Sequence, residues 1–354
     1  MHMKVAIDTT PLQNQSASRG IGMYTKHLVK YLKNIPSLEI IEHQQGELPE
    51  DVELIHYPFF DLYFRTLPLR KPLPTIVTIH DLTPLVLDDL YPTGIKGKLN
   101  FMVQKRSLSS VNAIITDSQS SRHDIVKFLG IPAQKIHPIL LAPQDGLDQD
   151  VSSEKLHQVV KKFNLPHHFI LYVGDINPNK NIRGLVAASQ QISVPLVIVG
   201  KQAVMPDFDH KHTETQDLKW LQQTSQKSKN IIRTGFVQFD ELGALYKLAD
   251  VYCQPSLYEG FGLPVLEALS MGCPVVCPKH SSLIEVGGPA VVYAGPNPDK
   301  LAKALKFVID LTESNRQRLI LEGKKHAETF SWQKTAQQTY HVYLDVLKKQ
   351  LNPR

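Results

Sequence analysis

Cysteine is nearly absent from this sequence: Cys253, Cys273 and Cys277 are the only three among 354 residues. So sparse and odd a set excludes a disulfide framework and fits a reducing compartment. Cys273 and Cys277 flank the apolar Pro274, Val275 and Val276, and read as small core residues of a buried strand rather than a metal or redox pair. Long hydrophobic runs are also missing. None reaches the roughly 18 residues that a spanning helix requires. The opening MHMKVAIDTTPL has no charged segment followed by an apolar one, so no secretory signal is expected and the cytoplasm is the expected location. Charge of one sign is missing too. The net charge is +5, with 39 Lys+Arg against 34 Asp+Glu, and residues 1–165 hold 18 against 17. Neither half carries the dominant basic face of a nucleic-acid binder. The slight excess suits an anionic small substrate or loose contact with anionic lipid. No repeat or low-complexity tract is visible.

What is present is an alternation of short β-branched runs with helical patterns. The length suggests two domains. Strand candidates in the first half are residues 4–8, 52–57, 75–80, 113–116 and 135–140, with helical stretches at 21–34, 97–110 and 119–129. The last of these can be capped by Ser118 to Ser121 and ended by Gly130. The polar, acidic stretch from Pro143 to about Ser153 reads as a linker. The pattern then restarts with 169–173 and 195–199, continuous apolar runs as expected of strands buried on both faces, followed by 231–236, 251–255 and 274–278. This is βαβ alternation twice over, hence an α/β fold of two doubly wound parallel sheets. The expected domains are 1–150 and 151–330, with a closing helix in 331–354 crossing back to the first. In such sheets ligands bind beyond the carboxyl ends of the strands. Two sheets facing one another would place those ends across a shared cleft.

Three segments after strands have the chemistry of phosphate sites. Gly20 and Gly22 open a helix after the first strand, where backbone amides and the helix N-terminus favour an anion. By itself Gly-x-Gly is equally a loop motif. Gly174 ends a strand and is followed by Asp-Ile-Asn-Pro-Asn-Lys-Asn, whose Lys180 precedes a helix. A lysine there opposes the helix dipole unless an anion sits beside it; otherwise it is a solvated loop lysine. The third segment, Tyr258 to Leu269 (YEGFGLPVLEAL), is the most informative. Pro264 fits the first helical position and Gly272 the C-terminal glycine. The glycines before Pro264 expose the amides of Gly262 and Leu263 to an anion such as a diphosphate. Glu259 lies before this helix and Glu267 is placed in its first turn, pointing back at the same space. Two carboxylates bracketing an anion site suggest hydroxyl acceptors on either side of it. Satisfying the helix-terminal amides would account for one glutamate, not readily for both.

These residues resemble the family 4 retaining glycosyltransferases, which have the GT-B architecture of two Rossmann-like domains. The segment YEGFGLPVLEAL is similar to their E-x7-E motif. RGIGMYT, TIHDLTPL, IITDSQSSRHDI, VGDINPNKNIRGL, SSLIEVGGPA and FSW extend the similarity in order along nearly the whole chain. The resemblance implies that Glu259 contacts the donor sugar near the reacting carbon and that Glu267 accepts hydrogen bonds from the donor ribose. It implies that Lys180 holds the diphosphate, that Gly20 and Gly22 lie by it, and that His80 faces the donor sugar. His80 on its own reads rather as a strand-end histidine satisfied by its neighbours, and the resemblance reverses that preference. There is one departure. Many members carry an arginine after the glycine matched by Gly174, and here Asp175 stands there. Arg19, Arg183 and Lys201 are candidate replacements, with Lys201 foremost because it follows a strand and Gly200 directly.

The resemblance implies transfer of a sugar from a GDP- or UDP-linked donor to a hydroxyl acceptor, with retention of configuration, and points to surface-polysaccharide assembly. Neither a cofactor nor a metal is expected. Asp148-Gln-Asp150 and Asp207-Phe-Asp209 match Asp-x-Asp, but both lie in acidic loops away in sequence from the phosphate elements. The expected partners are the nucleotide sugar, a sugar or lipid-linked acceptor, and the inner membrane face. The aromatic and basic stretch Phe59 to Lys71, with Phe60, Tyr63, Phe64, Arg65 and Arg70, is the candidate contact, and equally a partly buried loop. A nicotinamide-dependent oxidoreductase is disfavoured because Gly20-Ile21-Gly22 is followed by Thr25 rather than the third glycine. A non-catalytic nucleotide-sugar-binding module is the remaining alternative.

Overall fold

The computed structural model describes residues 3–13, 20–44, 49–147, 150–210 and 212–351. The chain forms two compact units. The first comprises Met1–Val86, Pro92–Ala142 and Phe330–Arg354, and the second Leu87–Tyr91 and Pro143–Thr329.

The first unit is built on β1 (Met3–Asp8), β2 (Leu38–His43), β3 (Leu54–Tyr57), β4 (Thr75–Thr78), β5 (Ala113–Thr116) and β6 (Ile136–Pro138). They form one sheet in the order β2-β1-β3-β4-β5-β6, every pairing parallel. β3, β4 and β5 are buried throughout, as strands covered by helices on both faces must be. β2 was not among the expected strands, because its Glu39 and Glu42 break the apolar run that marks its neighbours. It sits at the sheet edge, where polar residues are tolerated. Ser118 caps the helix that follows β5 by accepting from the Ser121 amide, and Gly130 ends that stretch in the left-handed region. The helix Trp332–Leu351 is fixed to this unit by buried polar contacts. The Thr335 hydroxyl donates to Leu140 O at 2.7 Å, and the Tyr343 hydroxyl lies 2.7 Å from His56 Nδ1 in the middle of the sheet.

The second unit is built on β7 (Ile170–Val173), β8 (Leu196–Val199), β9 (Ile231–Gly235), β10 (Val251–Cys253), β11 (Val275–Cys277) and β12 (Val292–Tyr293), in the parallel order β12-β11-β10-β7-β8-β9. The chain runs outward from β7 through β8 to β9, then returns to the other side of β7 with β10. The loops after β7 and β10 therefore diverge from adjacent strands, which opens a crevice at their carboxyl ends. Cys253 and Cys277 lie inside buried strands and Cys273 just before β11, all three as free thiols. Burial pushes Cys273 and Cys277 up to about 12, so both are inert core residues. Among the described residues no helix is long and apolar enough to cross a membrane.

Candidate active site

In the second unit the crevice between the β7 and β10 loops holds a compact polar cluster. Lys180 ends a short turn after β7, and Glu259 lies in the loop after β10. The Lys180 ammonium reaches both carboxylate oxygens of Glu259, at 2.7 and 2.9 Å. Gln254 Nε2 and the Ser256 hydroxyl donate to the same Oε1 at 2.7 and 2.6 Å. The Tyr252 hydroxyl in turn donates to Gln254 Oε1. Three donors on one oxygen fix the direction of the Glu259 side chain, which is 8% exposed. Its backbone is pinned as well, because the Ser282 hydroxyl donates to both Glu259 O and Phe261 O, at 2.9 and 2.7 Å. Gln254, Ser256 and Ser282 were not foreseen as site residues. The first two stand just before Glu259 in sequence, so the signal was adjacency after a strand.

The helix Leu263–Ser270 starts at Gly262, whose φ of +106° is strained for any residue with a Cβ. A Cβ there would also lie 2.8 Å from Leu283. Pro264 is the second helical residue rather than the first, and no acidic residue lies in the first turn. The expected position of Glu267 is corrected accordingly. It is in the second turn, 4% exposed, with Gln144 Nε2 donating to Oε1 at 3.0 Å and the Tyr246 hydroxyl to Oε2 at 3.1 Å. Burial raises its pKa, and the two hydrogen bonds only partly oppose this. The helix N-terminus is thus free of negative side chains, and the amides of Gly262 and Leu263 make no hydrogen bond among the described residues.

The β8 loop closes against the β7 loop. A Cβ on Gly200 would fall 2.3 Å from Gly174 O, so only glycine lets these backbones meet. Lys201 opens the turn that follows, exposed, and its neighbour Gln202 accepts from the Ile176 amide at 2.8 Å. Lys201 is therefore held beside the Asp175 loop. Arg183 is engaged elsewhere, with Nε 2.6 Å from Asp217 and its guanidinium 5.2 Å from the Trp220 ring centroid. Arg19 lies outside the described residues.

In the first unit the carboxyl ends of β3, β4 and β5 converge on His80. Its Nδ1 is 2.8 Å from Asp117 Oδ2 and its Nε2 3.1 Å from Pro58 O. Both partners are acceptors, so both nitrogens carry hydrogen and the ring is an imidazolium when Asp117 is ionised. Burial lowers the His80 pKa, but the charge and hydrogen bond of Asp117 and the charge of Asp81 outweigh it, and the net direction is up. Tyr24 meets the His80 ring edge to face, with centroids 4.8 Å apart. Asp117 was missed in the sequence, where it is one of many aspartates; its place directly after β5 was the available signal. Gly20 opens the helix Gly20–Leu32, with no acid in the first turn, and a Cβ on it would meet nothing within 4 Å. Gly22 is buried.

Among the described residues no three His, Cys, Asp or Glu side chains are grouped to hold a metal ion. Asp148 lies outside them, and Asp150 is 3.4 Å from Lys247.

Residues 153–326 match the family profile described as glycosyl transferases group 1, and residues 18–140 that of glycosyltransferase family 4. The O-antigen chain mannosyltransferase B of Escherichia coli is 32% identical over 277 residues, 76% of this chain and 69% of that protein. The serotype-specific mannosyltransferase WbdA of Escherichia coli is 30% identical over 287 residues, 77% of this chain but 33% of that longer protein. Among solved structures, HepE of Anabaena in complex with UDP-glucose superposes with a TM-score of 0.72, covering 97% of this chain and 100% of that one, at 17% identity. That likeness is one of fold, the GT-B architecture.

Proposed function

This chain belongs to the group 1 glycosyltransferases of family 4, and we propose that it moves a mannosyl residue from a nucleoside diphosphate mannose to a hydroxyl of a growing surface polysaccharide. The observation that carries the site assignment is the meeting of Lys180 and Glu259 at the β7–β10 crevice, beside the helix that starts at Gly262. The sugar is suggested by the two Escherichia coli relatives, both mannosyltransferases by name. In this reading the diphosphate lies on the Gly262 and Leu263 amides and the Lys180 ammonium of the second unit, and Gly20 and Gly22 are the first unit's candidate phosphate element. Lys201 supplies the cation that Asp175 does not. The leaving diphosphate gains charge in an oxocarbenium-like transition state, and fixed positive groups aimed at it lower the barrier. Glu267 bonds the ribose, and Glu259 bonds the transferred sugar. His80, the first unit's candidate for a sugar contact, has both ring nitrogens engaged by Asp117 and Pro58 O, and donates to a sugar hydroxyl only when Nε2 releases Pro58 O.

Retention without an enzymic nucleophile would follow from front-side attack, with the departing phosphate taking the acceptor proton. No divalent metal is required in this reading. The deciding experiment is a thermal-shift panel of GDP-mannose, UDP-glucose, UDP-galactose and the free nucleotides, followed by product analysis with the donor that binds. A ligand of the folded state raises its melting temperature. A rise and turnover with a mannosyl donor support the assignment. A rise and turnover confined to another sugar would overturn it.

A further inference from the structure

A cavity of about 450 Å³ opens against β6, the last strand of the first unit's sheet. It lies two strands along from β4, the strand that leads to His80. Three elements wall it: the helix Gln119–Asp124, the strand itself and the helix Trp332–Leu351. The long helix contributes Gln338, His341, Val342 and Asp345, whose spacing places them on one face. Lys349 stands one turn further along the same helix. Asp345 is the one acidic residue of the wall.

The cations of this wall lack counter-ions. Arg122 is half-buried, and its Nη2 donates to Ala133 O at 3.1 Å. Its Nε is buried with no partner, and no carboxylate pairs with the guanidinium among the described residues. The group is therefore held in place while its charge is left uncompensated, a costly arrangement that a bound anion would relieve. His137 on β6 lies in the same positive field. Burial lowers its pKa, Lys349 and Arg122 lower it further, and the Asp345 charge only partly opposes them. His341 Nε2 takes a hydrogen from Gln337 Nε2 at 3.3 Å, so the neutral ring keeps its other nitrogen as a donor.

We propose that this cavity binds a hexose monophosphate, at a site separate from the β7–β10 crevice of the second unit. The phosphate meets the Arg122 guanidinium, whose planar fork suits it, with His137 and Lys349 within electrostatic reach. Two permanent cations set against one carboxylate match a dianion better than a single carboxylate. The volume lies within the roughly 300–1,000 Å³ of small-ligand sites, which leaves room beyond the phosphate. The Gln338 amide and the Asp345 carboxylate can bond sugar hydroxyls, and Ile139 and Val342 offer apolar surface to the ring. No Phe, Tyr or Trp lines the cavity, so nothing there provides the aromatic face on which a nucleotide base would stack, and a sugar is favoured. The inference stands whatever sugar is transferred, because its readout lies at His137.

The test is the His137 ring-proton titration of the full chain followed by NMR, with the signal assigned by His137→Gln. It is run alone, with mannose 6-phosphate or glucose 6-phosphate, and with mannose, inorganic phosphate and sulfate. The charged or titratable groups around His137 are Arg122 on one helix and His341, Asp345 and Lys349 on the other, and only the added ligand differs between titrations. A bound dianion favours the imidazolium, so the midpoint should rise saturably with either hexose phosphate and stay put with mannose. Arg122→Gln should weaken binding about tenfold or more, through loss of a charge-assisted contact. Lys349→Gln, at an exposed position, should weaken it roughly threefold and leave thermal melting unchanged. An unmoved midpoint with both hexose phosphates overturns the proposal, and so does wild-type affinity in Arg122→Gln. Should that variant melt lower than wild type, Lys349→Gln decides in its place. Equally tight binding of inorganic phosphate or sulfate would mean an adventitious ion only, and would overturn the proposal as well.

Discussion

Glu259 and Lys180 neutralise one another in the structure, and each becomes a test of the other's role. Glu259→Gln keeps the shape but replaces one oxygen with a donor, in a pocket where Ser256, Gln254 and Lys180 already donate. Transfer should fall by a hundredfold or more, on the order of 3 kcal/mol of barrier, while nucleotide affinity measured by titration calorimetry changes little. Wild-type turnover would remove Glu259 from the chemistry. Lys180→Ala should weaken the nucleoside diphosphate by about 1–3 kcal/mol, the range for hydrogen bonds to charged groups, and leave the bare nucleoside nearly unaffected. Equal losses for both ligands would show that Lys180 does not serve the phosphates. Asp117→Asn addresses the other unit. It removes the charge that holds the His80 pKa up against burial, so the imidazolium should titrate at lower pH than in wild type. The His80 ring-proton titration followed by NMR checks this, and an unchanged midpoint would assign the elevation to Asp81 instead.

At the scale of elements, two features depend on contacts that no local pattern announces. Gly262 combines a φ of +106° with the closeness of Leu283, so Gly262→Ala should cost about 2 kcal/mol or more in stability, and urea denaturation should show it as a lower midpoint. The helix Trp332–Leu351 is tied to the sheet through Tyr343, His56 and Thr78, whose hydroxyl lies 2.8 Å from His56 Nε2. Complete burial holds the His56 pKa down to about 3. A depressed folded value means that the neutral ring contributes stability above the unfolded pKa of about 6.5. That stability is lost as pH falls from there toward 3, at up to roughly 1.4 kcal/mol per pH unit. His56→Asn should melt lower at neutral pH and show a shallower loss of stability on acidification. Parallel melting curves from pH 7 to pH 4 for the two proteins would contradict it.

For the whole molecule, counter-charge for the diphosphate comes in this reading from Lys180, Lys201 and backbone amides. Transfer should then survive exhaustive EDTA treatment within about twofold, a difference small against the tenfold per 1.4 kcal/mol that a missing charge partner produces. Full loss with recovery on adding Mg²⁺ or Mn²⁺ would make Asp175 the first ligand to mutate. Much of this protein was legible in its amino-acid order. The two parallel sheets follow from uninterrupted β-branched runs, and the helix after Gly262 from Gly-Leu-Pro, because burial on both faces and backbone freedom act on neighbouring residues alone. β2 and β12 were not legible: one is polar at an edge, the other two residues long. What only the tertiary structure decided is which side chains meet. Asp117 reaches His80 across 37 residues, Gln254 and Ser256 turn onto Glu259, and Gln144 leaves the linker for Glu267. The burial of Gln104 in the helix Ile95–Leu108 is of the same kind, since its amide is turned to Asp61 O in the loop packed against it. Periodicity records what a residue prefers; the order of strands in the sheets fixes which distant groups share one desolvated space, and there the electrostatics of the site are set.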